Sequence, residues 1–387
     1  MNILFLIGKY PSYGGTEKVT TVLANAFTQK GLRVHIASFE QPVPDLQSEL
    51  HSNIRLHKLS YPAKSKSNIN ILRNIILQNE IDIIINQWCL PFYVTQLCNK
   101  ARKGTKCKLL AVHHNSPDSN VRIEHVKIKM FQRSNSIKRF YLNSILSIVK
   151  YLTSRSIRYV YYHSDKYILL SSSFINIFKQ LIGIKKTPKL AVISNPVTLL
   201  DLDFHYLSEQ KNREIIYVGR IDYNQKKVYR IIELWKQIEN NYHDWRLTIV
   251  GDGPQKKDIE DLIETFNLKR VQVTGFQNPL EYYKRASILL LTSEYEGFGL
   301  VIVEGMCFGV IPVVYGSYAA VYDIIDNGKN GFITNIPYSQ EETVACLKSL
   351  IENENQRKEI ALKAIEKSKE FSLKSIVDQW ENLFTTL

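Results

Sequence analysis

The sequence predicts an α/β protein of two doubly wound domains, and three observations carry that prediction. Short runs rich in Ile, Leu and Val alternate with longer stretches of helical period, the signature of βαβ units whose parallel strands are covered on both faces. The alternation pauses at Asn195-Pro196 and a polar passage through Asn212, and then restarts. With 387 residues, 44% of them apolar, the chain can bury two cores of ordinary size.

In the first domain, 1–196, strands are expected at 3–7, 33–38, 54–59, 81–86, 108–113, 166–170 and 190–193. The opening MNILFLIGKY has an apolar run too short for a signal peptide and no basic residue before it, so it reads as a buried first strand. A linker is placed at 197–212. The second domain, 213–370, follows with strands at 214–218, 246–250, 270–274, 288–291, 311–314 and 331–334. Two amphipathic helical patterns close the chain at 355–369 and 373–386, with Ser372 as an N-cap; the segment 371–387 is expected to pack back toward the first domain.

Lys and Arg outnumber Asp and Glu by 50 to 37, a formal charge of +13, which points to nucleic acid, anionic lipid or a phosphorylated small molecule as partner. No nucleic-acid reader motif is present, so that class is set aside. The five cysteines form no C-x-x-C pair, which excludes a zinc ribbon and a disulfide framework and fits a reducing cytoplasm. The most membrane-like window, 297–316, carries Glu304 with five glycines and a proline, and is not read as a span.

Ligands of open α/β sheets bind beyond the carboxyl ends of the strands, and every chemically suggestive segment falls at such an end. Gly14-Gly15 follow the first strand and Glu17 opens a helix, so a backbone can approach an anion there, although paired glycines also serve simple turns. Val218-Gly219-Arg220 and then Lys226-Lys227 set basic groups on a strand-to-helix loop, able to grip a diphosphate or to remain a solvated basic loop. Glu296 and Glu304 flank a glycine loop, Gly297-Phe298-Gly299-Leu300, and Glu304 lies in an apolar stretch where a carboxylate needs hydrogen-bonding partners. A ribose diol or a sugar hydroxyl pair would supply them; a structural cap is the other reading. His113-His114 close a first-domain strand without a carboxylate at ligand spacing, which suits hydrogen bonding to a polyhydroxyl ligand, or a structural role, better than a metal.

Together these segments resemble the retaining glycosyltransferases of family 4, which have the GT-B fold of two facing Rossmann-like domains with the active site in the cleft between them. The resemblance runs through GGTEKVTTVLANAFTQKG, VISNPV, YVGRIDYNQKK, TIVGDGP, VTGFQNPLEYYKRASILLLTSEYEGFGLVIVEGM and IIDNGKNGFI, and its most specific part is the E-x7-E from Glu296 to Glu304. It implies that Arg220 and Lys226 grip the donor diphosphate, that Glu304 binds the nucleotide ribose, and that Glu296 with the amides of Gly297, Phe298, Gly299 and Leu300 holds the donor sugar. It further implies that Gly15 approaches the phosphates, that Gly275 and Phe276 line the base pocket, and that His114 reaches the transferred sugar, with His113 beside it leaving the register open. Two departures stand out: the Arg-to-Lys spacing is one residue longer than the common pattern, and Lys227 occupies a place where glycine often follows the lysine. Asp201-Leu202-Asp203 spells the D-x-D of the other glycosyltransferase fold but lies in the linker, and is read as coincidence.

The implied activity is transfer of a sugar, with retention, from a nucleotide diphosphate donor to a hydroxyl of a lipid-linked or growing cell-surface glycan, without a cofactor or divalent metal. UDP-hexose or UDP-N-acetylhexosamine is the first donor expectation and GDP-mannose the second; capsule or lipopolysaccharide assembly is the expected setting. A nucleotide-sugar 2-epimerase and a non-catalytic nucleotide-sugar-binding scaffold are the alternatives. Residues 118–164 carry nine basic side chains, including Arg122, Lys127, Lys129, Arg133, Lys138, Arg139, Lys150, Arg155 and Arg158, against Asp118 and Glu124. Interleaved with Phe140, Tyr141, Ile148, Tyr151 and Leu152, the stretch 122–158 has the composition of a helix lying on an anionic membrane, or of a solvated hairpin whose apolar side is core. The expectation is a cytoplasmic enzyme attached peripherally to the inner face of the plasma membrane.

Overall fold

A computed structural model describes residues 1–131, 136–199 and 204–387; Asp201, Leu202, Asp203 and Arg133 lie outside the described residues. The chain forms two compact units, Met1–Thr198 with Leu373–Leu387, and Leu199–Ser372.

Unit one is a seven-stranded, wholly parallel sheet. Its strands are β1 (Asn2–Lys9), β2 (Arg33–Glu40), β3 (Arg55–Lys58), β4 (Ile83–Asn86), β5 (Lys108–His113), β6 (Lys166–Leu169) and β7 (Leu190–Val192). The helices of this unit are α1 (Gly15–Gln29), α2 (Lys66–Gln78), α3 (Phe92–Ala101), α4 (Val121–Phe131), α5 (Ser136–His163) and α6 (Phe174–Ile182). The spatial order β3-β2-β1-β4-β5-β6-β7 reverses between β1 and β4, so the loops leaving those two strands diverge to opposite faces and open a crevice at their carboxyl ends. Strands buried on both faces need continuous apolar runs, and Ile3 to Ile7 and Ile83 to Ile85 supply them.

Unit two repeats the plan with six parallel strands, β8 (Glu214–Val218), β9 (Arg246–Val250), β10 (Val271–Gly275), β11 (Ile288–Leu291), β12 (Ile311–Tyr315) and β13 (Phe332–Thr334). Here the helices are α7 (Val228–Lys236), α8 (Lys256–Thr265), α9 (Leu280–Arg285), α10 (Leu300–Cys307), α11 (Val321–Ile324), α12 (Gln340–Glu352) and α13 (Glu354–Ser368). The order β10-β9-β8-β11-β12-β13 reverses between β8 and β11. The thirteen strands of the described residues fall within two residues of the sequence expectation; most are short apolar runs, while β3 (Arg-Leu-His-Lys) at the sheet edge is not. The passage 204–212 packs on unit two: Phe204 meets Phe308 at 4.9 Å between ring centroids and Lys211 Nζ donates to the Tyr283 carbonyl at 2.8 Å.

The last helix, α14 (Leu373–Thr385), belongs to unit one, where Trp380 and Phe384 pack edge-on against Phe27 of α1 at 6.5 and 5.6 Å. Lys30, just past α1, pairs with Asp378 and Glu381. The basic segment forms α4 and the long α5. The carboxyl end of α5 is anchored by buried Ile157, Val160 and Tyr161, yet no residue from 138 to 156 is buried, and Phe140, Tyr141, Ile148, Tyr151 and Leu152 are all exposed. Over this stretch Leu142, Ile145, Leu146 and Val149 are half-buried while those five side chains are exposed, so the apolar side is covered only in part. Among the described residues no helix is long and apolar enough to cross a membrane.

Candidate active site

In unit two the loops after β8 and β11 are laced together at the reversal point. Asp222 folds the first loop: its Oδ1 accepts from the amides of Asn224 and Gln225 at 2.9 and 2.7 Å, and its carbonyl accepts from Lys227 N. The Glu294 amide then donates to the Gln225 carbonyl at 2.8 Å, Gln225 Nε2 to the Tyr295 carbonyl, and Thr292 Oγ1 to the carbonyls of Lys226 and Lys227. This lacing brings Lys226 Nζ to 2.5 Å from Glu296 Oε1, with both side chains about seven-eighths buried. A charge pair at that depth holds its geometry, because separating it leaves two poorly solvated ions.

The neighbouring lysine points elsewhere. Lys227 sits at φ 52°, the left-handed conformation that glycine adopts at least cost, and its ammonium lies 5.1 Å from the Tyr223 ring centre and 5.9 Å from that of Tyr229. Burial lowers its pKa. The departure at this position is thus accommodated by a strained backbone with a cation–π seat, and Lys226 is the lysine that meets Glu296. Arg220 is more open: its Nη2 reaches Gln225 Oε1 at 3.2 Å and Asp222 Oδ2 at 3.8 Å, leaving much of the guanidinium in solvent.

Gly299 caps α10 at φ 96°, and no side chain caps that helix, so its first amides are open to an anion. A Cβ on Gly299 would stand 2.9 Å from Tyr318 Oη and from Ile302 Cδ1, a second reason for glycine here. Phe298 turns into the core against Phe371, so only its amide remains for a ligand, as with Gly297 and Leu300 on either side of the cap. Glu304, one turn into α10, is 6% exposed and accepts from Tyr283 Oη at 3.4 Å. Burial and this carboxylate together push the Tyr283 phenol well up.

The β9 loop closes on the β8 loop without room for side chains. A Cβ on Gly251 would fall 1.8 Å from the Gly219 carbonyl oxygen, and one on Gly253 would fall 2.2 Å from the Ile221 carbonyl. Gly275, at φ 73°, faces Asp252 and Lys256, and the Phe276 ring beside it is exposed.

Unit one holds its own cluster at the ends of β1, β4 and β5, around a cavity of about 270 Å³ walled by Gly8, Glu17, Trp88, His113, His114 and Asn115 among others. His113 is buried with Nδ1 2.5 Å from Tyr167 Oη, whereas half-buried His114 reaches Gln87 Oε1 at 2.5 Å. Burial pushes the His113 pKa down to about 4; burial and then the His113 charge push that of His114 down to about 3, so both imidazoles are neutral at pH 7. Gly15 is the exposed first residue of α1, and Glu17 folds back over Gly14 into the cavity wall, its carboxyl pKa raised by burial.

Two features escaped the sequence reading. Arg230, in the first turn of α7, braces the β11 loop, 2.6 Å from Glu294 and stacked 4.1 Å over the Tyr338 ring; residues so far apart in the chain give no pattern to read. The hydroxyls of Ser293 and Tyr318 are buried beside that loop with no hydrogen-bond partner, which only packing reveals.

Comparison with known proteins accounts for this architecture. Residues 13–199 match the family described as Glycosyltransferase Family 4, and residues 201–367 match Glycosyl transferases group 1. An uncharacterized glycosyltransferase of Haemophilus influenzae is 25% identical, covering 98% of each chain. An α-1,4-N-acetyl-D-galactosaminyltransferase of Campylobacter jejuni, named for a diphosphoundecaprenol-linked glycan, is 23% identical over 99% of this chain and 98% of that one. The solved structure of Anabaena HepE in complex with UDP-glucose superposes with a TM-score of 0.77 over the whole of both chains at 20% identity. The chain belongs to glycosyltransferase family 4 and is a glycosyltransferase of the GT-B fold.

Proposed function

We propose that this glycosyltransferase moves a sugar, with retention of its anomeric configuration, from a nucleotide diphosphate donor to a lipid-linked or growing cell-surface glycan. A UDP-hexose or UDP-N-acetylhexosamine is the favoured donor and GDP-mannose the second. The observation that carries the reading is the Lys226–Glu296 contact beside the uncapped amides of α10, with Arg220 open to solvent on the same loop. As the diphosphate leaves it gathers negative charge, and fixed cations with oriented amides stabilise that charge without rearranging. Arg220 and Lys226 supply this neutralisation in the proposal, so no divalent metal is required. Glu296 holds Lys226 in place and, freed from it by the phosphate, turns to a hydroxyl of the donor sugar. Neutral His114 acts as a hydrogen-bonding group. The Campylobacter relative's diphosphoundecaprenol glycan and the UDP-glucose bound by HepE support the choice of acceptor and donor class.

Incubating the purified chain with UDP- and GDP-sugars and membrane lipid extract, with magnesium or with a chelator, tests this reading. Nuclear magnetic resonance of the product gives its anomeric configuration; an inverted product or a strict magnesium requirement overturns it. Glu304→Gln should weaken nucleotide affinity about tenfold, the scale of one hydrogen bond to a charged group. Equal affinity of variant and parent in calorimetry would remove the ribose role.

The exposed face of α5 supports attachment to an anionic membrane surface, in capsule or lipopolysaccharide assembly at the inner face of the plasma membrane. Phe140, Tyr141, Ile148, Tyr151 and Leu152 would enter the headgroup boundary while Lys138, Arg139, Lys150, Arg155 and Arg158 neutralise lipid charge. Each basic residue contributes about 1 kcal/mol near such a surface. Changing those five to glutamine should release the protein from vesicles containing phosphatidylglycerol in a flotation assay, and undiminished flotation sinks the membrane reading.

A further inference from the structure

The cavity of unit one has one wall unlike the rest. Of the four tryptophans, Trp235, Trp245 and Trp380 are each 2% exposed, and Trp88 alone is partly open, in the wall of this cavity. One face of its indole lies on Gly8: a Cβ there would stand 3.2 to 3.4 Å from three atoms around the ring fusion. Its edges are clamped by Phe39, Tyr61 and Tyr93, whose rings meet it edge-on at 5.6 to 6.5 Å between centroids. An aromatic plate held on these sides keeps one orientation, and the part of it that stays open lines the cavity.

Polar groups surround that plate. Glu17, Gln87, His114 and Asn115 line the same cavity, and His113 adds a buried Nε2 without a hydrogen-bond partner. A buried polar atom of this kind calls for a ligand or a water. The only Lys or Arg among the lining residues, Lys9, is already paired with Glu40 at 2.7 Å, while Glu17 contributes a carboxylate. The lining side chains thus offer an anion no unpaired cation, leaving it the uncapped first turn of α1 at Gly15. What the site matches is a neutral pyranose, which has a face of C–H groups for an aromatic plate and a rim of hydroxyls for carboxylate and amide side chains.

We propose that this cavity is the acceptor subsite and that it binds a neutral pyranose stacked on Trp88, with Glu17 and Asn115 holding its hydroxyls. The role of acceptor rests on the transferase reading above; the binding of a pyranose does not. A glycerol phosphate, an organic acid or a bare polyprenyl phosphate has no C–H face to stack, and is excluded as the group that occupies this site.

The test uses the full chain and four methyl pyranosides, those of glucose, galactose, N-acetylglucosamine and N-acetylgalactosamine. At millimolar concentration at least one should shift tryptophan emission and shield it from acrylamide, because Trp88 is the accessible fluorophore. Trp88→Phe should abolish the emission change while retaining part of the binding seen by saturation-transfer magnetic resonance. Trp88→Ala should weaken that binding about tenfold and leave UDP affinity unchanged. UDP binding by the variant also certifies that unit two is folded, and Glu17→Gln should weaken the same glycoside without touching the aromatic cluster. The proposal is overturned if none of the four glycosides shields Trp88, if glycerol 3-phosphate binds there instead, or if Trp88→Ala raises the donor KM and leaves the acceptor KM alone. A parent chain that binds a glycoside but no nucleotide would sink the donor reading and spare the subsite.

Discussion

Lys226→Ala is expected to lower the turnover of sugar transfer by about a thousandfold, the upper scale for removing one preorganised charge-stabilising group from a transition state. The fall should appear mainly in kcat, because the charge that Lys226 meets grows as the donor bond breaks. The same change strands the Glu296 carboxylate, which is only 11% exposed. Losing one partner of a fully buried pair costs about 3–5 kcal/mol, and the residual exposure here reduces that to roughly 2 kcal/mol. Two controls separate chemistry from stability. Lys226→Ala with Glu296→Gln should regain the melting temperature and remain inactive, while Lys227→Ala should keep most of the turnover, since that ammonium lies between Tyr223 and Tyr229. If Lys227→Ala is the inactive variant in a steady-state assay, the assignment of the two lysines is reversed.

Gly251→Ala is expected to be the most damaging single-methyl change in unit two. The added carbon would fall 1.8 Å from the Gly219 carbonyl oxygen, a backbone atom already fixed by the ladder between β8 and β9 and by the Gly219 amide's bond to Val250. The two loops must separate, costing about 3 kcal/mol, which for a unit of this size lowers the melting temperature by roughly 6–12 °C. Separation also displaces Ile221, whose amide donates to the Asp252 carbonyl, and with it the turn that presents Arg220 and Lys226. Calorimetric unfolding and a UDP titration of the same sample check both consequences. A variant with parental stability and nucleotide affinity would show that the loops accommodate the methyl.

Most strands were legible because they are short apolar runs of parallel-sheet type, whereas the order in which they pair, with its reversals at β1/β4 and β8/β11, left no mark in the chain. Candidate side chains were legible where they are local in sequence, as with Glu296 and Glu304 across the β11 loop and α10. Which neighbours each of two adjacent lysines or histidines meets was not, because that depends on a backbone twist at Lys227 and on the end of β5 at His113, each a matter of one residue's dihedral angles or register. The Arg230–Glu294 brace joins residues 64 apart, and the Trp88 platform assembles side chains from β1, β2, α3 and the loop before α2. Proximity of that kind arises only after folding and leaves no spacing in the chain.

The return of α14 to unit one fixes an order of events during synthesis. Phe27 emerges early, but its partners Trp380 and Phe384 are translated only after all of Leu199–Ser372, an interval on the order of ten seconds at ribosomal rates. The unit that begins first is thus finished last, and until then the ribosome carries a nearly complete sheet with an uncovered apolar stripe along α1. A nascent chain stalled before Leu373 would be a natural client for chaperones that hold apolar segments, whereas one released with α14 in place would not.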